Sequence, residues 1–124
     1  MESLYIKPTP DTPKVSFEPG GELVMEGRSL PENPSVFYTP LLQWADQIAQ
    51  EKLVFSLKLE YFNTASSKQI FTLIKKLIGN PNIKETLVKW HYEEGDYDSL
   101  EMGQQYQNLL QVPFEFIEVP ETEF

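Results

Sequence analysis

The stretch KLVFSLKLEYFNTASSKQIFTLIKKLIG, residues Lys52–Gly79, decides how the rest of the chain is read. Its first half alternates: Leu53, Phe55, Leu57, Leu59 and Tyr61 are apolar or aromatic, with Ser56, Lys58 and Glu60 between them. That two-residue period predicts a strand with one buried face. Beyond Asn63 the period changes. Ile70, Phe71, Leu73, Ile74, Leu77 and Ile78 recur at three- and four-residue steps, which predicts an amphipathic helix stopped by Gly79 and Pro81. Between the two lies Asn63-Thr64-Ala65-Ser66-Ser67, a run of hydroxyls where the strand gives way to the helix. Thr64 is placed to cap that helix by accepting the amide of Ser66 or Ser67. The same free amides favour an anion, so a phosphate on a hydroxyl of this turn would also be well received. The local residues leave both readings open, a helix cap and a phosphorylation switch. They also leave Ser66 and Ser67 as rivals to Thr64 for the phosphate.

Upstream, residues 1–14 carry Pro8, Pro10 and Pro13 and read as an extended lead-in without a strand ladder. Val15–Glu18 and Glu22–Glu26 flank Pro19-Gly20-Gly21, the signature of a hairpin. Gly27 to Pro34 reads as a loop by its Gly, Pro and Asn content. A helix follows with the apolar stripe Phe37, Leu41, Trp44, Ala45 and Ile48. Pro40 is acceptable only near a first turn, so this helix is expected to start close to Thr39.

Downstream, Pro81-Asn82 make a turn, and Thr86–Tyr92 alternate as a strand with Val88, Trp90 and Tyr92 on one face. Glu93-Glu94-Gly95-Asp96 is a loop. Asp98 and Glu101 have the spacing of a capping pair at the start of a third helix, which presents Leu100, Met102, Tyr106, Leu109 and Leu110. Gly103 inside that helix costs ~1 kcal/mol relative to Ala, which implies close packing on a neighbour. Phe114–Val119 is a last short strand, and an acidic tail runs from Pro120 to the end, residues 120–124.

The order is therefore ββαβαβαβ, an α/β domain with a mixed, mostly parallel five-stranded sheet. Single helices between strands imply right-handed parallel crossovers. Strands covered on both faces would be apolar throughout. These alternate, so the three helices are expected largely on one face, with Val54, Ser56, Lys58, Glu60, Leu87, Lys89 and His91 on the wetter one.

The 124 residues suffice for one domain with its own core. The net charge of −9 is unevenly spread. Residues 1–92 hold ten charges of each sign, and residues 93–124 hold nine acidic residues and no Lys or Arg. This balance argues against nucleic-acid binding, which needs a basic face. It suits docking to a basic protein surface, or simply a solvated acidic face. The absence of cysteine excludes disulfides, thiol chemistry and thiolate metal sites. No secretory signal opens the chain and no apolar run reaches membrane-spanning length, so a cytoplasmic protein, monomeric when free, is expected.

Sites in parallel sheets gather beyond the carboxyl ends of the strands. Three polar loops fall there: Gly27–Pro34, Asn63–Ser67 and Tyr92–Asp98. Catalysis finds little support. His91 is the one histidine, no Gly-rich phosphate loop or nucleophile elbow follows a strand, and neither a metal nor a cofactor is indicated. Glu32, Glu93, Glu94 and Asp96 can converge, but loop carboxylates are unspecific.

Four blocks carry a resemblance: Gly27-x-Ser29-x-Pro31-Glu32-Asn33, then Leu59-x-Tyr61-x-Asn63-Thr64-x-Ser66-x-Lys68, then Trp90-His91-Tyr92, then Pro113-Phe114. In this order, over about residues 15–119, they resemble the SiaC-type regulatory phosphoproteins of bacteria, and more distantly the STAS-fold anti-sigma-factor antagonists. Ala65 departs from the family's Ser-Ser after the threonine. The resemblance implies a STAS-like fold and a non-enzymatic partner switch. A serine/threonine kinase would phosphorylate Thr64, a PP2C-type phosphatase would reset it, and the bare form would bind and regulate a target such as a diguanylate cyclase. It further implies partner-binding roles for Gly27, Ser29, Pro31, Glu32, Asn33, Asn63, Ser66, Ser67, Lys68, His91 and Tyr92. The alternative of another class is a plain structural or adaptor domain in which Thr64 only caps its helix.

Overall fold

In the computed structural model, which describes residues 1–121, the decisive stretch forms strand β4 (Lys52–Phe62) followed by helix α2 (Thr64–Gly79). Leu53, Phe55, Leu57 and Leu59 are buried, while Val54, Ser56 and Lys58 between them stay partly open. The pattern then slips. The register between β3 (Glu22–Ser29) and β4 shifts at Gly27/Arg28, so Arg28 faces Tyr61 and Ser29 faces Phe62, with Glu60 left over. This bulge turns the end of β4 over. Phe62 packs edge-on to Trp90 at 6.0 Å, whereas Tyr61, expected inside, is 50% exposed beneath the Arg28 guanidinium.

The remaining elements are β1 (Leu4–Ile6), β2 (Lys14–Phe17), α1 (Pro34–Gln47), β5 (Glu85–Glu93), α3 (Tyr97–Leu110) and β6 (Phe114–Val119). The sheet has six strands in sequential order, β1 to β6. The β1–β2 and β2–β3 pairs are antiparallel, and the β3–β4, β4–β5 and β5–β6 pairs are parallel. The mixed α/β class stands. One face buries Val15, Phe17, Leu23, Met25, Phe55, Leu57, Val88 and Trp90 against the helices, with Leu41, Trp44, Ile70, Leu73, Ile74 and Leu77 opposite. Lys14, Glu26, Lys58 and His91 lie on the uncovered face.

The sixth strand corrects the reading of residues 1–14 as ladder-free. All three prolines fall after Ile6, so Leu4-Tyr5-Ile6 is free to pair with Val15–Phe17 along an edge. Trp44 Nε1 holds the segment by donating to the Glu2 carbonyl at 3.0 Å. Helix α1 begins five residues earlier than Thr39, at Pro34. Asn33 caps it by accepting the Val36 amide at 3.2 Å, Pro34 takes the first position, and Pro40 sits inside the helix. The buried stripe of α1 is Tyr38, Leu41, Trp44 and Ala45, so Tyr38 replaces the half-buried Phe37. In α3 the cap is Asp96, which accepts the Ser99 amide at 3.1 Å, and Asp98 falls in the first turn. Leu109, expected on the apolar stripe, is 72% exposed. The acidic tail is described only through Glu121; residues 122–124 lie outside the described residues.

Candidate functional site: the helix-opening turn at Thr64

Because β3, β4 and β5 run parallel, the segments after Ser29, Phe62 and Glu93 leave the same end of the sheet. The turn after β4 is held from several directions. Asn63 is the N-cap of α2: its Oδ1 accepts the Ser66 amide at 2.9 Å, and its carbonyl accepts the Ser67 amide at 2.9 Å. Thr64 is therefore not the cap expected from the sequence but the first helical residue. Asn63 has the extended backbone a cap requires, whereas Thr64 is already helical, and Asn ranks above Thr as a cap residue.

The three hydroxyls of the turn have different surroundings. Ser66 is fully buried, and its Oγ donates to the Ser29 carbonyl at 3.0 Å. Ser67 is half-buried and turns its Oγ back onto the Thr64 carbonyl at 2.9 Å. Thr64 is exposed. The amides of Thr64 and Ala65, at the start of the helix, have no intrahelical acceptor. The first turn of α2 carries no acidic residue, so the positive end of the helix is unneutralised there. From the other side, Tyr106 Oη donates to the Ser67 carbonyl at 2.7 Å and ties α3 to α2.

Gly27 to Asn33 is only partly loop, since Gly27, Arg28 and Ser29 belong to β3. Gly27 takes φ +115° at the bulge, a conformation that favours glycine. Ser29 and Pro31 are buried, so neither offers its side chain to a partner; Glu32 and Asn33 are exposed, and Asn33 also caps α1. Lys68 is exposed one turn into α2.

His91 and Tyr92 point to opposite faces of β5. His91 lies on the uncovered sheet face, in a groove of ≈ 500 Å³ with Gly27, Lys58, Glu26 and Glu60. There partial burial, and then Lys58 and Lys89, hold its imidazole below its ordinary range. Glu26 is shared between Lys14 at 3.7 Å and Lys58 at 3.8 Å. Tyr92 leans toward β6, its hydroxyl 3.3 Å from Glu118.

Sequence reasoning missed Tyr38 and Tyr106, the two hydroxyls that brace the turn. The spacing Tyr38–Leu41–Ala45–Ile48 fits a helical stripe as well as one through Phe37, so periodicity alone does not single out Tyr38. Among the described residues, no cluster of three metal-ligating side chains occurs and no helix is long and apolar enough to cross a membrane.

The result is a small α/β domain whose sheet is covered on one face and whose exposed threonine opens a braced helix. The chain belongs to the SiaC family of regulatory phosphoproteins, whose family model matches residues 6–119. A protein of Pseudomonas aeruginosa (strain UCBPP-PA14) is 26% identical over 119 residues, covering 92% of this chain and 94% of its own length. The crystal structure of apo-SiaC from P. aeruginosa matches with TM-score 0.79 at 26% identity, over 94% of this chain and 99% of that one. A chain in the structure of the diguanylate cyclase SiaD in complex with its activator SiaC, also from P. aeruginosa, matches at TM-score 0.81. That match covers 94% of this chain and 99% of that one; at 23% identity it speaks to the fold.

Proposed function

We propose that this domain is a partner switch without catalytic activity of its own, phosphorylated on Thr64 by a serine/threonine kinase and reset by a PP2C-type phosphatase. The observation that carries the reading is the division of labour among the three hydroxyls. Thr64 is exposed, whereas Ser66 is buried and Ser67 is bonded back to the helix. An acceptor must reach a kinase, and Thr64 is the one that can without rearrangement.

The bare form binds the target. Phosphorylation adds about −1.5 to −2 charge at an end of the molecule whose loops hold Glu32, Glu93, Glu94 and Asp96. The helix-start amides of Thr64 and Ala65 favour the phosphate in the free protein. A partner surface fitted to a small hydroxyl then meets a bulky, hydrated dianion, and binding is lost. Glu32, Asn33, Thr64 and Lys68 are the exposed members of the binding surface. The target class favoured is a diguanylate cyclase, because a relative of the same fold is described as the activator of one.

The test is direct. The protein is incubated with ATP and each serine/threonine kinase candidate from its own organism, and any added phosphate is mapped by mass spectrometry. Phosphate on Thr64, with loss of cyclase binding in a pull-down, is the expected outcome. Full labelling of Thr64→Ala by the same kinase would overturn the acceptor assignment.

A further inference from the structure

Beneath Thr64 lies a chain of three hydroxyls that the switch reading does not use. Ser29 ends β3, Tyr38 sits in the second turn of α1 and Ser66 is the third residue of α2; all three are fully buried. Ser66 Oγ donates to the Ser29 carbonyl at 3.0 Å, and Ser29 Oγ donates to Ser66 Oγ at 2.8 Å. That leaves Tyr38 as the donor in its 2.7 Å contact with Ser29 Oγ. Every hydroxyl hydrogen is thus spent once. The Ser29 carbonyl also accepts the Asn63 amide at 3.2 Å. One carbonyl therefore grips α2 at two points, the cap residue and the third helical residue, and Thr64 lies between them.

A polar trio adds little net stability over apolar residues of the same shape. What it adds is a single geometry. In a fully buried site, rotating any one of the three hydroxyls strands another without its protein partner.

We propose that Ser29, Tyr38 and Ser66 are positioning residues for Thr64: through Asn63 and Ser66 they fix the pose of its hydroxyl, and of the phosphate it receives, relative to α1. This rests on the reading of Thr64 as the phosphoacceptor. It reassigns Ser29 and Ser66, expected as partner contacts, to a role beneath the surface. It also gives Tyr38, which has no hydrogen bond to Thr64, an influence on it across two elements.

The test installs phosphothreonine at position 64 of the full chain during synthesis and follows the phosphate by phosphorus NMR titration. In the parent, the phosphate should titrate displaced from the second pKa of about 6 of a free phospho-residue. Tyr38→Phe keeps the ring and removes one donor; it should return half or more of that displacement, and Ser29→Ala should do the same. Leu73→Val, a buried change on α2 more than two turns away, softens the core without touching the chain and should return none. A parent phosphate that titrates as in a free residue would overturn the proposal. So would a Tyr38→Phe profile equal to the parent's, or a Leu73→Val profile that moves as far as Tyr38→Phe. No kinase, phosphatase or partner is present, so a failure here is separate from a kinase's failure to label Thr64.

Discussion

The Oδ1 of Asn63 accepts the Ser66 amide at 2.9 Å, and this bond frees the Thr64 side chain from any structural duty in the turn. Losing the cap should be felt: Asn63→Ala is expected to lower stability by about 0.5–2 kcal/mol. Thr64→Ala should be near neutral, since alanine suits a first helical position at least as well. Urea denaturation of the two variants side by side checks this. A Thr64→Ala loss as large as that of Asn63→Ala would return the capping role to Thr64.

Gly103 makes the second prediction. A β-carbon there would lie 2.8 Å from Phe116 Cε1 and 2.9 Å from the Trp90 indole. Helix propensity alone would reward Gly103→Ala by about 1 kcal/mol. Overpacking of two aromatic rings against backbone costs more, typically 1–3 kcal/mol. Phe116 is half-buried and gives way first, so a net destabilisation of about 1–2 kcal/mol is expected. Thermal melts decide it, and a Gly103→Ala variant more stable than the parent would show that α3 can slide off β5 freely.

The inner strands and the existence of all three helices were legible because their periodicities are long and uninterrupted. Gly103 also betrayed its close contact, since a glycine within a helix needs a reason. What escaped reading was set by register and by competition between neighbours. The bulge at Gly27/Arg28 that exposes Tyr61 depends on how two strands meet, which neither strand reveals alone. The choice of Asn63 over Thr64 as cap, and of Asp96 over Asp98, turns on a backbone offset of one or two residues that composition cannot resolve. β1 was hidden by the three prolines that follow it. Asn80 was passed over as part of a stop signal, yet its buried Nδ2 donates to the carbonyls of Ala45 at 3.1 Å and Ile48 at 2.8 Å, closing the end of α1. The strand-to-helix turn that holds Thr64 was legible from the change of period at Asn63, and the place of His91 on the open face from the alternation of its strand.

Alkaline pH supplies a third test. Burial pushes the Tyr38 hydroxyl from its ordinary value of 10.0 up to about 12, outweighing the opposite pull of the Ser29 and Ser66 hydroxyls beside it. Burial also raises Tyr106, against its bond to Ser67. A raised acid favours the folded state while it stays protonated. Its contribution is therefore complete below the unfolded value of 10.0 and is lost as pH climbs toward about 12. Stability measured by urea denaturation should fall across that window, by on the order of 2 kcal/mol from Tyr38. In Tyr38→Phe this part of the slope should vanish. An unchanged alkaline slope would mean that Tyr38 gives up its proton equally readily in the folded and unfolded states.

The last prediction separates a switch from an inert surface threonine. Thr64→Asp places a carboxylate at the first position of α2, whose first turn carries no acidic residue, and the helix dipole favours it by about 0.3–1 kcal/mol. Asn63 retains the cap, so the variant should fold as well as the parent or slightly better. Its charge nevertheless stands where the bare hydroxyl met the partner. Binding to the target, read by titration calorimetry, should weaken by roughly tenfold or more, about 1.4 kcal/mol. Phosphate, with nearly twice the charge and more bulk, should weaken it further. Lys84→Ala is the control: Lys84 is exposed at the opposite end of the sheet, with its Nζ on the Pro81 carbonyl at 3.0 Å. It should bind like the parent. If Thr64→Asp binds as tightly as the parent while Lys84→Ala does not, the docking surface lies at the other end of the strands and Thr64 is no part of it.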